Sequence, residues 1–482
     1  MFFSCSLPSQ RLLMPLAPSS SLLGEILRIL PRRYRLPAMA TASLSMANAS
    51  PAEMLALAIE QARVAVVRDK VPDASVRRLF LEALAHLIRE AMRPERGDPA
   101  FQAMVLRHRA ATVREYASLS EQADKYRRQV HAAINALAHP ARRQRMQAGL
   151  QREGLAKLHA SAGAASWSAV VENLRDLIGL PEISDDSPLA RDLSRLLDSP
   201  ALAHLQRLDV LSEDDLVHQY RLLRDRHSPR SGSAAAQAQG GVSQQRGAAV
   251  EALAAHALEA LAGRLNEAQE AGMRYRIVTS MRVPPSIPAS AQRAKSEWDA
   301  VLLGQSKTAD AGAPWNVCLL IEAKASVDAA ATDLPRLLRG LRLLAHADED
   351  TIYPFETRQG TIALGGASLS ALASDEASVA NTVLYCCAAA AETAPRLLSA
   401  AGRMQLLSAS ASLAFACALA GKQDAARQDL EPVWHELLTS PRWRTVLNQY
   451  PMLRQVRELM IHPDDLLATV NRSSGPGHQG KP

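Results

Sequence analysis

At 482 residues, 48% hydrophobic and 22% charged, the chain holds enough apolar material for two or three packed domains. Its net charge of +6 is no nucleic-acid signature, because residues 1–51 carry five arginines against one glutamate while residues 245–370 carry 13 basic and 14 acidic side chains. The odd set Cys5, Cys318, Cys386, Cys387 and Cys417 lacks metal-ligand spacing, which excludes a cysteine-based zinc module and reads as free thiols of a reducing cytoplasm.

Residues 1–51, rich in Ser, Arg and Leu, read as a disordered leader of transit-peptide composition, or as a misassigned start with the first residue at Met39 or Met46. Residues 52–226 read as an all-helical domain. One helix begins with Met54, and another is opened by Asp73-Ala74-Ser75 and carries Val76, Leu79, Leu84, Leu87 and Ile88 at helical spacing. Capping boxes are expected at Ser118–Glu121 and Ser212–Asp215, with breaks at Pro94, Pro140, Pro181 and Pro200. Arg127, Arg128, Arg142, Arg143 and Arg145 form the densest basic patch, read as a solvated helix face in preference to a binding surface. Residues 227–245, rich in Ser, Gly, Ala and Gln without large apolar residues, read as a flexible linker.

Residues 246–390 change character. A helix over Gly247–Leu265 carries Glu251 among Val250, Leu253, Ala254, Leu258 and Leu261. Strands follow at Arg274–Val283, at Glu297–Leu303 with Asp299, and within Trp315–Ser326. A helix over 331–345 then spaces Arg336, Arg339 and Arg342 by threes, and Thr361–Leu364 and Thr382–Cys387 extend the sheet. Residues 391–470 read as C-terminal helices, and 471–482 as a tail. Met404–Gly421 carries no charge but holds Gln405 and three serines, so a buried helix is expected there and no membrane span.

The central strand contains the chemistry. Side chains alternate across a strand, so Glu322 and Lys324 share one face, and Val317, Leu319, Ile321, Ala323 and Ala325 point the other way. A carboxylate and an ammonium beside an apolar run need compensation, which a metal ion or a phosphate supplies. The chain has 8 lysines against 47 arginines, so a lysine on a buried strand is an uncommon choice.

An acid at Asp299, Glu322-Ala323-Lys324 on the next strand and Glu251 on the preceding helix resemble the PD-(D/E)xK nuclease superfamily over roughly residues 245–370. Trp298 stands where some members have proline, and no Gln-x-x-x-Tyr pattern follows, so the exonuclease branch that uses it gains no support. The resemblance implies an α+β chain: a mostly helical N-terminal region, a restriction-endonuclease-like core with a mixed sheet, then C-terminal helices. It implies a Mg²⁺- or Mn²⁺-dependent nuclease acting on nucleic acid, with DNA preferred. Asp299, Glu322 and Glu251 would be metal ligands through hard oxygens, and Lys324 would orient the attacking water. Arg336, Arg339 and Arg342 would contact phosphates. No HExxH, Walker A, GxGxxG, GxSxG or CxxC motif is present, which removes the commonest other enzyme classes. The competing expectation is an inactive interaction protein that keeps the nuclease-like scaffold; a helical regulatory protein would lack the sheet altogether.

Overall fold

The computed structural model describes residues 21–36, 49–184, 186–227, 234–268, 272–290, 292–310, 312–372, 379–392 and 396–473. Apolar runs of strand length pair into one mixed sheet, and the chain is α+β. The strands are β1 (Met273–Arg282), β2 (Glu297–Ser306), β3 (Asn316–Lys324), β4 (Ile352–Thr357), β5 (Gly360–Gly365), β6 (Val383–Cys387) and β7 (Met460–Ile461), in the spatial order β5-β4-β1-β2-β3-β6-β7. β1, β2 and β3 are antiparallel neighbours, and β6 runs parallel to β3. β4 and β7 are additions to the expected set. Pro354 interrupts the local strand signal of β4, and β7 is a two-residue extension at a helix end.

Two helical layers clamp this sheet. The helix α1 (Ser21–Ile29) lies within the stretch expected to be a leader, and this part of that expectation is corrected: Leu23, Ile26 and Leu27, with Leu30 and Tyr34 beyond the helix, are core residues. Its apolar positions recur at helical spacing, so the segment buries one face. Tyr34 Oη donates to Cys387 O at 2.7 Å and to Ala389 O at 2.6 Å, tying the segment to the end of β6. The helix α2 (Ala234–Ala268) is 35 residues long and absorbs residues 234–245 of the expected flexible linker, whose Ala and Gln residues are good helix formers. Residues 1–20, 37–48, 228–233 and 474–482 of the expected leader, linker and tail lie outside the described residues.

On one face of the sheet, Ala254, Leu258 and Leu261 of α2 pack with Ala300, Leu302, Leu319 and Ile321. On the other face, α3 (Val327–Leu344) packs Leu334, Leu337 and Leu341 against Val301, Leu303 and Leu320. Each of these leucine, isoleucine and valine side chains contributes about 1.5–3 kcal/mol of burial. Val317 departs from the expected alternation: it packs with the α3-side cluster, whereas Leu319 and Ile321 face α2. The pairing steps from Leu302↔Leu319 to Leu303↔Val317, leaving Cys318 as the extra residue of a bulge that reverses the alternation.

The chain divides into two compact units that do not follow the sequence order: Met1–Ala83, Gln237–Arg403 and Glu436–Pro482 form one, and Leu84–Ala236 with Met404–His435 the other. One switch between the units, at Ala236/Gln237, falls inside the expected linker 227–245, whereas those at Ala83/Leu84, Arg403/Met404 and His435/Glu436 lie elsewhere than the expected boundaries. The second unit is helical, with Leu158, Trp167, Leu174, Leu202 and Leu205 in its core. Pro140 and Pro200 open helices as their first residues, where the missing N–H costs nothing. Neither expected capping box forms: Ser118 lies inside Ala111–Ser120 and Ser212 ends Pro200–Ser212. Instead Asp214 Oδ1 accepts from Leu216 N at 2.9 Å and Val217 N at 3.1 Å. In the basic patch, Arg142 donates to Ala136 O (2.7 Å) and Arg143 to Ala138 O (3.0 Å), so both arginines cap the C-terminus of the helix Ala123–Ala138.

Among the described residues no single helix is long and apolar enough to cross a membrane; the pair Ala400–Leu407 and Ser410–Ala420, bent by 67°, meets the length and composition test jointly. In the first unit, α4 (Gln449–Leu459) and α5 (Pro463–Arg472) flank β7 and complete the C-terminal helices.

Candidate active site

The site forms where the β2–β3 ladder stops. The last pair is Ala300↔Ile321, and two residues further along β3 the Ala323 N–H, which would extend the ladder, donates at 2.8 Å to Asp299 Oδ2 instead. The side chain of Asp299 thus replaces a backbone acceptor and is fixed beside β3. Glu322, one residue before, is wholly buried. Its Oε2 accepts from Lys324 Nζ at 2.9 Å, as two residues on the same strand face should. Lys324 Nζ also lies 3.5 Å from Asp333 Oδ2 on α3, and Tyr385 Oη on β6 donates to the same oxygen at 3.2 Å. The parallel pair Glu322↔Tyr385 sets this geometry.

A second lysine was not anticipated. Lys295 is buried, and its ammonium donates to Glu322 Oε2 while lying 3.8 Å from Asp299 Oδ1. Its backbone is clamped under α3: Lys295 N donates to Arg336 O at 3.2 Å, and Arg339 Nε donates to Arg293 O at 2.8 Å. Gly340 permits the approach, since a Cβ there would fall 2.5 Å from Lys295 Cβ. The scarcity of lysine, which marks Lys324 in the sequence, marks Lys295 equally.

The charges do not balance oxygen by oxygen. Glu322 Oε2 has two ammonium donors, whereas Glu322 Oε1 is buried with no hydrogen-bond partner among the described residues. Burial pushes the Glu322 carboxyl up to about 7, the charge of Asp299 adds to the shift, and Lys295 and Lys324 oppose it without cancelling it. For Lys324 burial acts downward, but Glu322, Asp333 and Asp299 outweigh it and raise the ammonium above its ordinary value. The two shifts have different causes: burial disfavours the charged form of Glu322, and carboxylate neighbours favour the charged form of Lys324.

Glu251 is exposed beside the buried Val250, and Leu253, expected on the inner face of that helix, is 41% exposed. Partial desolvation and then the charges of Asp299 and Glu297 raise the Glu251 carboxyl, which places it within reach of their field although solvent screens much of it. Among the described residues no group of three or more His, Cys, Asp or Glu side chains is placed to hold a metal ion. The structure therefore assembles Asp299, Glu322 and Lys324, adds Lys295, Asp333 and Tyr385, and leaves Glu251 outside hydrogen-bonding contact. Arg336, Arg339 and Arg342 are all exposed on α3. Arg339 and Arg342 line an open groove of about 370 Å³ with Ser290, Gln292 and His346, and none of the three arginines pairs with the buried carboxylates.

Compared with protein-family models, with curated proteins and with solved structures, the chain matches none.

Proposed function

We propose that the chain is a divalent-metal-dependent nuclease of the PD-(D/E)xK type that hydrolyses phosphodiester bonds, with DNA the preferred substrate. The observation that carries this reading is the meeting of Asp299, Glu322 and Lys324, from two strands, at one point where the β2–β3 ladder opens. The order α2–β1–β2–β3–α3–β6 in a mixed sheet supports it. The oxygens present fit Mg²⁺ or Mn²⁺. The donors are hard carboxylate oxygens: among the described residues Glu322 Oε1 is buried without a hydrogen-bond partner, and Asp299 Oδ1 lies 3.8 Å from the Lys295 ammonium.

Asp299 and Glu322 would hold the ion, with Glu251 as an outer carboxylate. The ion would lower the pKa of a bound water and neutralise charge at the scissile phosphate. Lys324, fixed between Glu322 and Asp333, would hold the attacking water in line and stabilise charge growing on the phosphoryl oxygens. Exposed Arg336, Arg339 and Arg342 would contact neighbouring phosphates, and the helical unit would hold substrate or a partner. The free thiols Cys318, Cys386, Cys387 and Cys417 fit a reducing cytoplasm.

The test incubates wild type and Lys324→Ala with plasmid, linear duplex, single strands and RNA, in Mg²⁺ or EDTA. The expected result is metal-dependent cleavage by wild type, reduced roughly a hundredfold or more by the substitution. Cleavage by both proteins, or cleavage indifferent to EDTA, sinks the mechanism. A second reading, an inactive interaction protein on the same scaffold, is favoured by the two ammoniums that already neutralise Glu322. It predicts no cleavage of any of the four substrates.

A further inference from the structure

Lys295 has no part in the chemistry above, yet it makes the closest contact in the cluster. We propose that Lys295 is a resident counter-cation of the Asp299–Glu322 pair, whose ammonium a divalent ion must displace on binding. This rests on the metal-binding part of the proposed function and adds the residue that sets how readily metal enters.

Three observations carry it. The Lys295 side chain is 7% exposed, and its ammonium has Glu322 Oε2 and Asp299 Oδ1 as its two acidic neighbours, so it stands between the carboxylates that a divalent ion would use. Its backbone is fixed by Arg336 O and by the close contact with Gly340, so displacement is confined to the flexible four-carbon stem. Lys324 differs, because Asp333 at 3.5 Å and the Tyr385 hydroxyl behind it give that ammonium a second anchor when Glu322 turns to a metal. A divalent ion and an ammonium against the same two carboxylates repel each other, the more so because Lys295 and Glu322 are buried. Glu322 Oε1, buried and without a hydrogen-bond partner among the described residues, is the oxygen that would be open to a divalent ion.

The test is calorimetric titration of the full chain with Mn²⁺, for wild type, Lys295→Met, Lys295→Arg and Glu322→Gln, alongside thermal unfolding in Mn²⁺ and in EDTA. Lys295→Met is expected to bind Mn²⁺ on the order of tenfold more tightly than wild type, because no ammonium has to leave. Its midpoint should drop in EDTA and recover in Mn²⁺. Lys295→Arg, which keeps the charge, should bind no more tightly than wild type, and Glu322→Gln should lose binding. Equal Mn²⁺ affinity in wild type and Lys295→Met overturns the proposal while leaving the metal site standing. A Lys295→Met chain that melts early in Mn²⁺ and EDTA alike makes Lys295 a purely structural residue, and also overturns it. Absence of Mn²⁺ binding in every variant removes the metal reading itself, and this inference with it.

Discussion

The segment 21–36 gives the sharpest test of the packing, because a chain beginning at Met39 would lack it. Ile26 is fully buried in the α2-side core, and Tyr34 is 2% exposed with its hydroxyl shared by the carbonyls of Cys387 and Ala389. Ile26→Ala removes three carbons from a packed site, a loss of about 3 kcal/mol. Tyr34→Phe keeps the ring but strips both carbonyls of their donor, a loss of about 2 kcal/mol. At roughly 2 °C per kcal/mol for a unit of this size, the midpoint of the sheet-containing unit should fall by roughly 6 °C and 4 °C respectively. Calorimetry resolves that transition, and hydrogen exchange of peptides spanning β6 should show lost protection in both variants. A chain starting at Met39 should lose the transition altogether. If both point variants melt within about 1 °C of wild type, and the Met39 chain melts with them, the segment is not part of the core and the reasoning here is wrong.

Other outcomes follow from the same contacts. The Glu322 carboxyl is raised from 4.5 to about 7 on folding, so the folded state binds its proton more tightly than the unfolded one and stability from this group is lost as pH rises through that window. Wild-type stability measured against Glu322→Gln should fall by up to about 3 kcal/mol between those limits, and a flat difference in denaturant titrations would refute it. At Gly304 an added Cβ would lie 2.8 Å from Cys318 Sγ at the bulge, so Gly304→Ala should destabilise by about 1–3 kcal/mol. The double variant with Cys318→Ala should recover part of that loss; strict additivity in a double-mutant cycle would show that the sulfur is not the obstacle. Gly340→Ala pushes the Lys295 backbone off α3 and should tighten Mn²⁺ binding as Lys295→Met does, while unchanged binding would show that the clamp does not position the ammonium.

The strands β1, β2 and β3 could be read from the chain because their signal is local: short apolar runs, bounded by Gly, Pro and polar residues, declare both the element and, by its alternation, the face. That is why the sequence alone sets Glu322 and Lys324 on one face, and why an acid near the start of β2 can be matched to them. The helices expected at Asp73-Ala74-Ser75 and over Gly247–Leu265 were visible for the same reason, the latter covering the C-terminal part of α2. What one stretch of chain cannot carry is its partner. The bulge at Cys318 depends on how β2 and β3 fit side by side, and it reverses Val317 against a pattern that looks regular. The residues of α1 have a helical stripe, but only the core formed by α2, β2, β3 and β6 gives that stripe somewhere to be buried. Lys295 precedes its strand, separated from Glu322 by 27 residues, and reaches it because α3 clamps its backbone. Local periodicity therefore determined the elements and two of the site's charges; tertiary packing decided which further charges join them, since buried carboxylates are satisfied by whatever cations the fold brings within a few ångströms, however distant in the chain.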